Sequence, residues 1–442
     1  MSISILGARE RRLVINCARL ELDETLARQT RELLRGELDW DQTVLFAEAH
    51  SVAPLLHRQL ERLDGWAGVP PPARRRLLQL THRTGYRNRL YAAALRDLLD
   101  LFAEDGVPVL VLKGLSLVEL IYGDLSLRPL IDLNLLVPGP HLERARELLL
   151  RRGYVETLSR NSSFYRWCHS HLTIEKPDQF RLFLMLQWEL VTWPRMHAID
   201  LPRVWADAQP VRLAGRDARI PSPIDLVLYL CLQADKYAIV NALAVDRRDP
   251  AEYVFDERTY NRLVRFTDLH EVIHRHREGI DWSELTGRAR AAGIEESAYG
   301  SLKFAERLFG TPVPREVLAD LRPVRYRWPR RVLSRWSLGP EPGKSSSGPP
   351  GVPRRWIKLL QLIDFVFPRR DIVRRRYRQL WGGPARLAYP WHVSASLLRC
   401  ASRLPGWTFE RARERLVRHP RRGAGGPVSA GVPFTSQGLG PT

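Results

Sequence analysis

A change in hydrophobic pattern near residue 105 constrains the fold of this chain more than any other feature. Residues 20–101 carry apolar side chains at helical spacing. A proline run over 70–72 interrupts this region, and a second helical stretch follows over 73–104. Residues 107–112 then form a short β-branched apolar run, which is typical of a buried strand. The pattern downstream predicts strands over 130–137, 180–190 and 211–220, with helices over 114–122 and 141–152.

Helical spacing returns after residue 220. It predicts helices over 226–235, 260–277, 282–292 and 297–309. Helices, then strands, then helices indicate the α+β class, with a small mixed sheet flanked by helical segments. The domains that we predict are an N-terminal helical region over 1–104, an α/β core over 105–220, a C-terminal helical domain over 221–321, a basic aromatic extension over 322–422 and a disordered tail over 423–442.

The positive charge of the chain lies in one part of it. The 442 residues have a net charge of +20, and residues 322–422 alone contain 25 Lys or Arg against five Asp or Glu. The first 321 residues are therefore balanced in charge. Only six of the 69 basic residues are Lys. Because Arg outnumbers Lys in the chain as a whole, the abundance of Arg is by itself no sign of phosphate recognition.

Composition excludes several classes of protein. No apolar run reaches the roughly 18 residues that a membrane-spanning helix needs. Residues 1–12 lack the apolar stretch and cleavage site of a secretory signal. The four cysteines lie far apart in the sequence, which argues against a disulfide framework and predicts a reducing compartment, the cytoplasm.

The segment over 112–137 contains the most specific candidate site. Asp132 and Asn134 are two apart on a predicted strand, so their side chains point to the same face. Such oxygen donors can bind Mg²⁺, which bridges to substrate phosphates. Gly114 and Ser116, at the start of a helix, predict free backbone N–H groups for a phosphate, and Arg128 is a candidate for a bidentate phosphate contact.

These residues resemble the uncharacterised nucleotidyltransferase family of the DNA polymerase beta-like superfamily. Members carry a Lys-Gly turn, a short helix with a Tyr-rich end and then R-P-x-x-D-x-D-L-L-V. The matching positions, in chain order, are Lys113, Gly114, Tyr122, Arg128, Pro129, Asp132 and Asn134. Residues 39–60, 221–226, 280–282 and 310–314 resemble the family's helical segments, so the resemblance covers roughly residues 24–325.

The resemblance implies a function and a set of roles. A nucleoside monophosphate would pass from an NTP to the hydroxyl of an unknown acceptor, with Mg²⁺ as cofactor. Asp132 and Asn134 would bind the metal, Gly114 and Ser116 would hold the phosphates, and Lys113 with Arg128 would neutralise their charge.

The sequence departs from the family pattern at two acidic positions. Asn134 replaces the second metal-binding acid, and Met185 stands where the third acid would open an acid-x-His-Trp run. Glu189 shares a strand face with Met185, but strand rise puts it about 13 Å further along, so we name it only as a substitute third carboxylate. Since a thioether is a poor ligand for a hard cation, two interpretations stay open: an active enzyme, or a degenerate relative that still binds nucleotide.

Other motifs suggest other metal sites. His270, Glu271 and His274 fit the HExxH pattern of zinc hydrolases, with Glu295 or Glu296 as a third ligand, although an apolar stripe on the same helix favours plain packing. The other such signals are weaker, and we interpret them as structural residues or coincidence: Cys168, His169 and His171, and the P-loop-like Gly343-Lys344-Ser345.

The basic extension over 322–422 has three interpretations. It is a solvated Arg-rich face packed on the helical domain, a segment that lies on an anionic membrane surface, or a nucleic-acid contact. The second and third define a rival of another class, a non-catalytic adaptor that binds a nucleotide or polyanion at an anionic membrane surface, peripheral to the membrane.

Overall fold

The computed structural model describes residues 7–156, 171–177, 182–190, 197–237, 245–246, 249–255 and 262–324, with 363, 366–368, 370, 372–374 and 389–398. The α-helices are α1 (Ala8–Cys17), α2 (Glu24–Leu34), α3 (Trp40–Ala49), α4 (Ala53–Arg62), α5 (Pro71–Glu104), α6 (Leu115–Leu117), α7 (Leu142–Arg151), α8 (Leu201–Ala206), α9 (Pro223–Tyr237), α10 (Pro250–Val254), α11 (Leu263–Arg275), α12 (Trp282–Ala292), α13 (Glu295–Phe309) and α14 (Arg315–Leu321). The strands are β1 (Leu110–Lys113), β2 (Leu133–Leu136), β3 (Val155–Glu156), β4 (His171–Lys176), β5 (Leu182–Gln187), β6 (Gln209–Leu213) and β7 (Arg216–Ile220). A π-helix over Val118–Tyr122 extends α6, and a 3₁₀ turn over Gly139–His141 precedes α7.

The predicted α+β class is confirmed. Within the described residues, five strands form one mixed sheet in the order β1-β2-β5-β4-β3. Only β2 and β5 run parallel, and the other neighbours are antiparallel. Strands β3 and β4 were not predicted, and β2 is shorter than the predicted strand over 130–137.

The strand predicted over 211–220 is wrong as a single strand. It is a hairpin, in which β6 and β7 pair antiparallel across Ala214 and Gly215. Both turn residues have positive φ, 51° and 77°, which is the geometry of a tight two-residue hairpin turn. Ala214 is also held from outside, because its N–H donates to Glu119 Oε2 at 2.9 Å and its carbonyl accepts from Arg96 Nε at 3.1 Å.

Two large apolar clusters make up the core. One joins helices from both ends of the described chain, from Leu13 in α1 to Leu321 in α14, so the two predicted helical regions share one core. The other packs one face of the sheet against the second half of α5 and against α7. On the opposite face, among the described residues, Leu110 and Leu136 pack with Tyr229 of α9. The remainder of that face carries the candidate site.

The chain divides into two compact units, Met1–His392 and Val393–Thr442. Of the second unit only residues 393–398 are described, and they are helical. In the first unit, Ile372 and Val373 are buried and Ile363 packs on the helical core, so parts of the predicted basic extension belong to the folded body. None of the described helices has the length and apolar character needed to cross a membrane.

Candidate functional site

A row of side chains crosses the sheet at the level of Asn134. The register pairs Asn134 of β2 with Lys113 of β1 on one side and with Met185 of β5 on the other. Met185 in turn pairs with Thr173 of β4, whose Oγ1 lies 3.6 Å from the Met185 sulfur. Because residues paired across neighbouring strands project to the same face, the four side chains line one surface of the sheet.

A chain of hydrogen bonds leads from this surface into the core. Asn134 Nδ2 donates to Asp132 Oδ1 at 3.0 Å, and Gln187 Nε2 donates to Asn134 Oδ1 at 3.2 Å. The same Gln187 amide lies 3.2 Å from the hydroxyl of Tyr229 in α9. Asp132 is half-exposed, whereas the other three side chains are buried. The network therefore orients a single carboxylate at the surface through neutral side chains behind it.

The Lys-Gly turn lies against the backbone of Asp132. Gly114 has φ of +82°, and a Cβ built on it would come 3.4 Å from the Asp132 carbonyl oxygen and 3.6 Å from Leu130 Cδ2. A glycine suits both the left-handed backbone and the close approach. Lys113 is half-buried beside the turn, and the side chain of Ser116 is 3% exposed. The fold thus brings the predicted phosphate turn and Asp132 together.

The strand register separates Glu189 from Asp132 and Asn134. Met185, not Glu189, is the partner of Asn134, and β2 and β5 are parallel. Glu189 follows Met185 by four residues and lies beyond the last residue of β5. The described structure therefore places a thioether, and no carboxylate, next to Asn134 on β5.

Arg128, a predicted phosphate ligand, has a protein partner. Its Nε and Nη2 each donate to the carboxylate of Asp268 in α11 at 2.6 Å, and Tyr122 donates to the same carboxylate at 2.9 Å. Burial by itself would lower the pKa of Arg128, but the charge and hydrogen bonds of Asp268 outweigh it and raise that pKa. A phosphate-binding role for Arg128 stays a prediction, while the geometry shows a buried ion pair between the core and α11.

Helix α5 holds the loop that leads to Asp132. Asn88 Nδ2 donates to the carbonyls of Leu125 at 2.6 Å and Arg128 at 2.8 Å, and the Tyr91 hydroxyl donates to the carbonyl of Ile131 at 2.6 Å. The sequence interpretation missed these positioning residues. Their spacing of three on one helix is the only local signal, and it does not reveal what they contact.

The oxygen donors of the described residues at this site suit one Mg²⁺ ion and not two. Mg²⁺ is commonly bound by one or two carboxylates together with substrate phosphates, and Asp132 is one carboxylate at the edge of an open surface. The carbonyl oxygen of Asn134 accepts from Gln187 but keeps a second lone pair for a metal. No three His, Cys, Asp or Glu side chains lie close enough to share a metal ion in the part of the chain that the structure describes.

The zinc interpretation of the HExxH motif is wrong for the described residues, because no such group of three ligands exists there. Each motif residue has structural contacts instead. His270 Nδ1 lies 2.9 Å from Thr311 Oγ1, and Glu271 Oε1 accepts from the N–H of Leu20 at 2.8 Å. The rings of His270 and His274 stack with their centroids 5.9 Å apart. The motif belongs to a packing helix.

Several sequence predictions fall outside the described residues. These are Cys168 with His169, the side chain of His171, the Gly343-Lys344-Ser345 run, and most of residues 322–422 with the tail over 423–442. The membrane and nucleic-acid interpretations of the basic extension stay predictions.

The mixed sheet and the glycine turn beside Asp132 agree with the result of a family comparison. The model of an uncharacterised nucleotidyltransferase family matches residues 36–310. The chain belongs to this family, as the resemblance of its motifs predicted. No curated protein and no solved structure matches the chain.

Proposed function

We propose that this protein binds an NTP with a single Mg²⁺ between Asp132 and the Gly114 turn, and transfers the nucleoside monophosphate slowly to an acceptor hydroxyl. The observation that carries the proposal is the contact of the Gly114 turn with the backbone of Asp132, whose carboxylate is oriented by Asn134. Family membership supplies the reaction class.

The reaction balances without a protein base. The acceptor oxygen forms a bond to the α-phosphorus, the bond from that phosphorus to the β-phosphate oxygen breaks, and pyrophosphate leaves. The proton of the acceptor hydroxyl passes to water, because Met185 at the level of Asn134 has no atom that could accept it at neutral pH. General-base catalysis typically contributes about 10²–10⁴ in rate, so its loss makes transfer slow.

The remaining residues bind and orient in this proposal. Asp132 would hold the Mg²⁺, with the Asn134 carbonyl as a weaker second ligand. The metal, when bound, supplies positive charge to the phosphates. Lys113 adds charge next to the turn, and because the Ser116 side chain is buried we assign its contribution to the backbone.

Nucleotide binding by the full chain tests the proposal. Calorimetric titration with a non-hydrolysable NTP analogue should show binding that requires Mg²⁺, and Asp132→Ala should weaken it at least about tenfold, since it removes the carboxylate that we propose as the metal ligand. Asp217→Ala is the matched control, because its side chain is 95% exposed on β7 and the charge change is the same. Equal affinities of Asp132→Ala and the parent would overturn the assignment.

A further inference from the structure

The first two-thirds of α5 form a basic surface next to the candidate site. Residues 71–96 contain seven Arg and no Asp or Glu. Arg76, Arg83 and Arg87 are seven and four residues apart, so they lie on one face of the helix. That face points to α3 and to the loop before Asp132, because Arg76 pairs with Glu48 of α3 and Arg87 lines a cavity together with Pro129 and Leu130.

A cavity opens on this face. Its volume is about 200 Å³, several times the roughly 30 Å³ that one water occupies in the liquid. Arg83 and Arg87 line it together with the hydroxyl residues Ser51 and Thr84, and Pro129 and Leu130 form its wall toward the site. The two arginines and the Ser51 hydroxyl can donate to a phosphate group, whereas the Thr84 hydroxyl already donates to the carbonyl of Leu80 at 2.8 Å.

The charge balance of the cavity is positive. Glu48 is the one acidic residue among the described residues that line it, and both of its oxygens accept from Arg76 Nη2, at 3.0 and 2.7 Å. Among the described residues Arg83 has no ion-pair partner, and its side chain is exposed at the mouth of the cavity. Among the described residues, a bound anion would therefore meet the exposed Arg83 together with Arg87, beside a carboxylate that Arg76 already neutralises.

The cavity and the nucleotide turn are neighbours but separate. Leu130 lines the cavity, and its Cδ2 lies 3.6 Å from the Cβ position of Gly114 on the other side. Arg87 donates to the Tyr91 hydroxyl at 3.4 Å, and that hydroxyl donates to the carbonyl of Ile131, the residue before Asp132. A group in the cavity thus lies about one side chain away from the site without occupying the turn.

We infer that this cavity binds a phosphate group of the acceptor, so that the acceptor is a phosphorylated molecule. The inference rests on the proposed function, because it assigns the second substrate of the same site. Arg83 and Arg87 are the phosphate ligands, and Tyr91 connects Arg87 to the loop that carries Asp132.

Phosphate binding by the full chain, already saturated with Mg²⁺ and a non-hydrolysable NTP analogue, tests the inference. Inorganic phosphate is the probe, and it should bind with the nucleotide in place. The R83Q/R87Q double variant should raise its dissociation constant at least about tenfold. The matched control R75Q/R89Q removes two exposed arginines from other faces of the same helix and should change the constant less than twofold.

Each other outcome decides against the inference. Phosphate that binds only when the nucleotide is absent occupies the turn, and equal losses in the two double variants show general attraction to a basic helix. The single variant R83Q, which leaves the Tyr91 contact intact, should still weaken binding several-fold and guards against loss of folding in the double variant. If the nucleotide analogue itself does not bind, the proposed function fails and the acceptor assignment fails with it. If R83Q/R87Q still lowers the affinity for phosphate in that case, the cavity is an anion site whose function is not acceptor binding.

Discussion

At the scale of single residues, the site differs from an acidic metal centre by neutral replacements. Among the described residues, Asn134, Met185 and Gln187 place neutral side chains near the Asp132 carboxylate. Amides satisfy one another by hydrogen bonds without the repulsion of clustered carboxylates, so the site is stable when no cation is bound. In the proposed reaction, Met185 offers no base for the proton of the acceptor hydroxyl.

Restoring the acids should restore catalysis. We expect the N134D/M185D double variant to release pyrophosphate from an NTP at least about tenfold faster than the parent in Mg²⁺, because it supplies a second metal ligand and a base. Met185→Leu is the control and should leave the rate unchanged. A folded double variant with the parental rate would show that this surface does not carry the reaction.

At the scale of elements, long-range contacts hold the site loop between α5 and α11. Asn88 and Tyr91 bind the loop carbonyls, and Arg128 at its start pairs with Asp268, 140 residues away in sequence. Burial, then the charge of Asp268, raises the pKa of the Tyr122 hydroxyl well above its ordinary value, so this donor stays protonated. The loop is therefore positioned by neighbours that strand and turn propensities do not identify.

Breaking the buried pair should destabilise the protein. We expect Asp268→Asn to lower the free energy of unfolding by about 3–5 kcal/mol, because it leaves the Arg128 charge buried without a counter-ion. Denaturant unfolding measures this. Arg216→Ala, which breaks an exposed pair with Asp100, should have a much smaller effect. If Arg128 instead serves mainly as a phosphate ligand, Arg128→Met would lose nucleotide affinity with little change in unfolding.

At the scale of the whole molecule, one core joins the two ends of the described helical regions. Arg19 donates to the carbonyls of Asn16 at 3.2 Å and Phe309 at 3.0 Å, and Glu271 of α11 accepts from the N–H of Leu20. Burial raises the pKa of Glu271 to about 7. The connection between N- and C-terminal helices therefore contains a carboxyl group that titrates near neutral pH.

This carboxyl should make stability depend on pH. Between about pH 4.5 and 7 it is protonated in the folded state and ionised in the unfolded state, so its contribution to stability falls as pH rises through that window. We expect Glu271→Gln, which keeps an acceptor for Leu20, to be more stable than the parent at pH 8 by at most about 3 kcal/mol, with the difference vanishing below pH 4.5.

Thermal or denaturant unfolding across pH checks this prediction. Burial also lowers the pKa of His50 to about 4 and of His270 to about 3, but both histidines are present in parent and variant, so the difference between the two proteins reports Glu271. The exposed Glu37→Gln is the matched control. A constant difference between the parent and Glu271→Gln at all pH values would contradict the assignment.

The sequence by itself determined the features that depend on local periodicity. These are the helix-strand-helix order and the glycine turn at Gly114, because hydrophobic periodicity and backbone φ preferences act within a few residues. Strand alternation does not place Asp132 beside Asn134, because β2 begins at Leu133, and their side chains meet instead through a hydrogen bond. The sequence pattern does not predict the positive φ values of Ala214 and Gly215, so it predicts a single strand where the structure has a hairpin.

Only the tertiary structure decided how distant segments meet. It paired Arg128 with Asp268, connected Tyr229 to the site through Gln187, set Met185 beside Asn134, and closed the Arg83 and Arg87 cavity against the loop before Asp132. These contacts arise from the packing of apolar faces across long separations in the chain. Local sequence patterns carry no record of which partner each face will find.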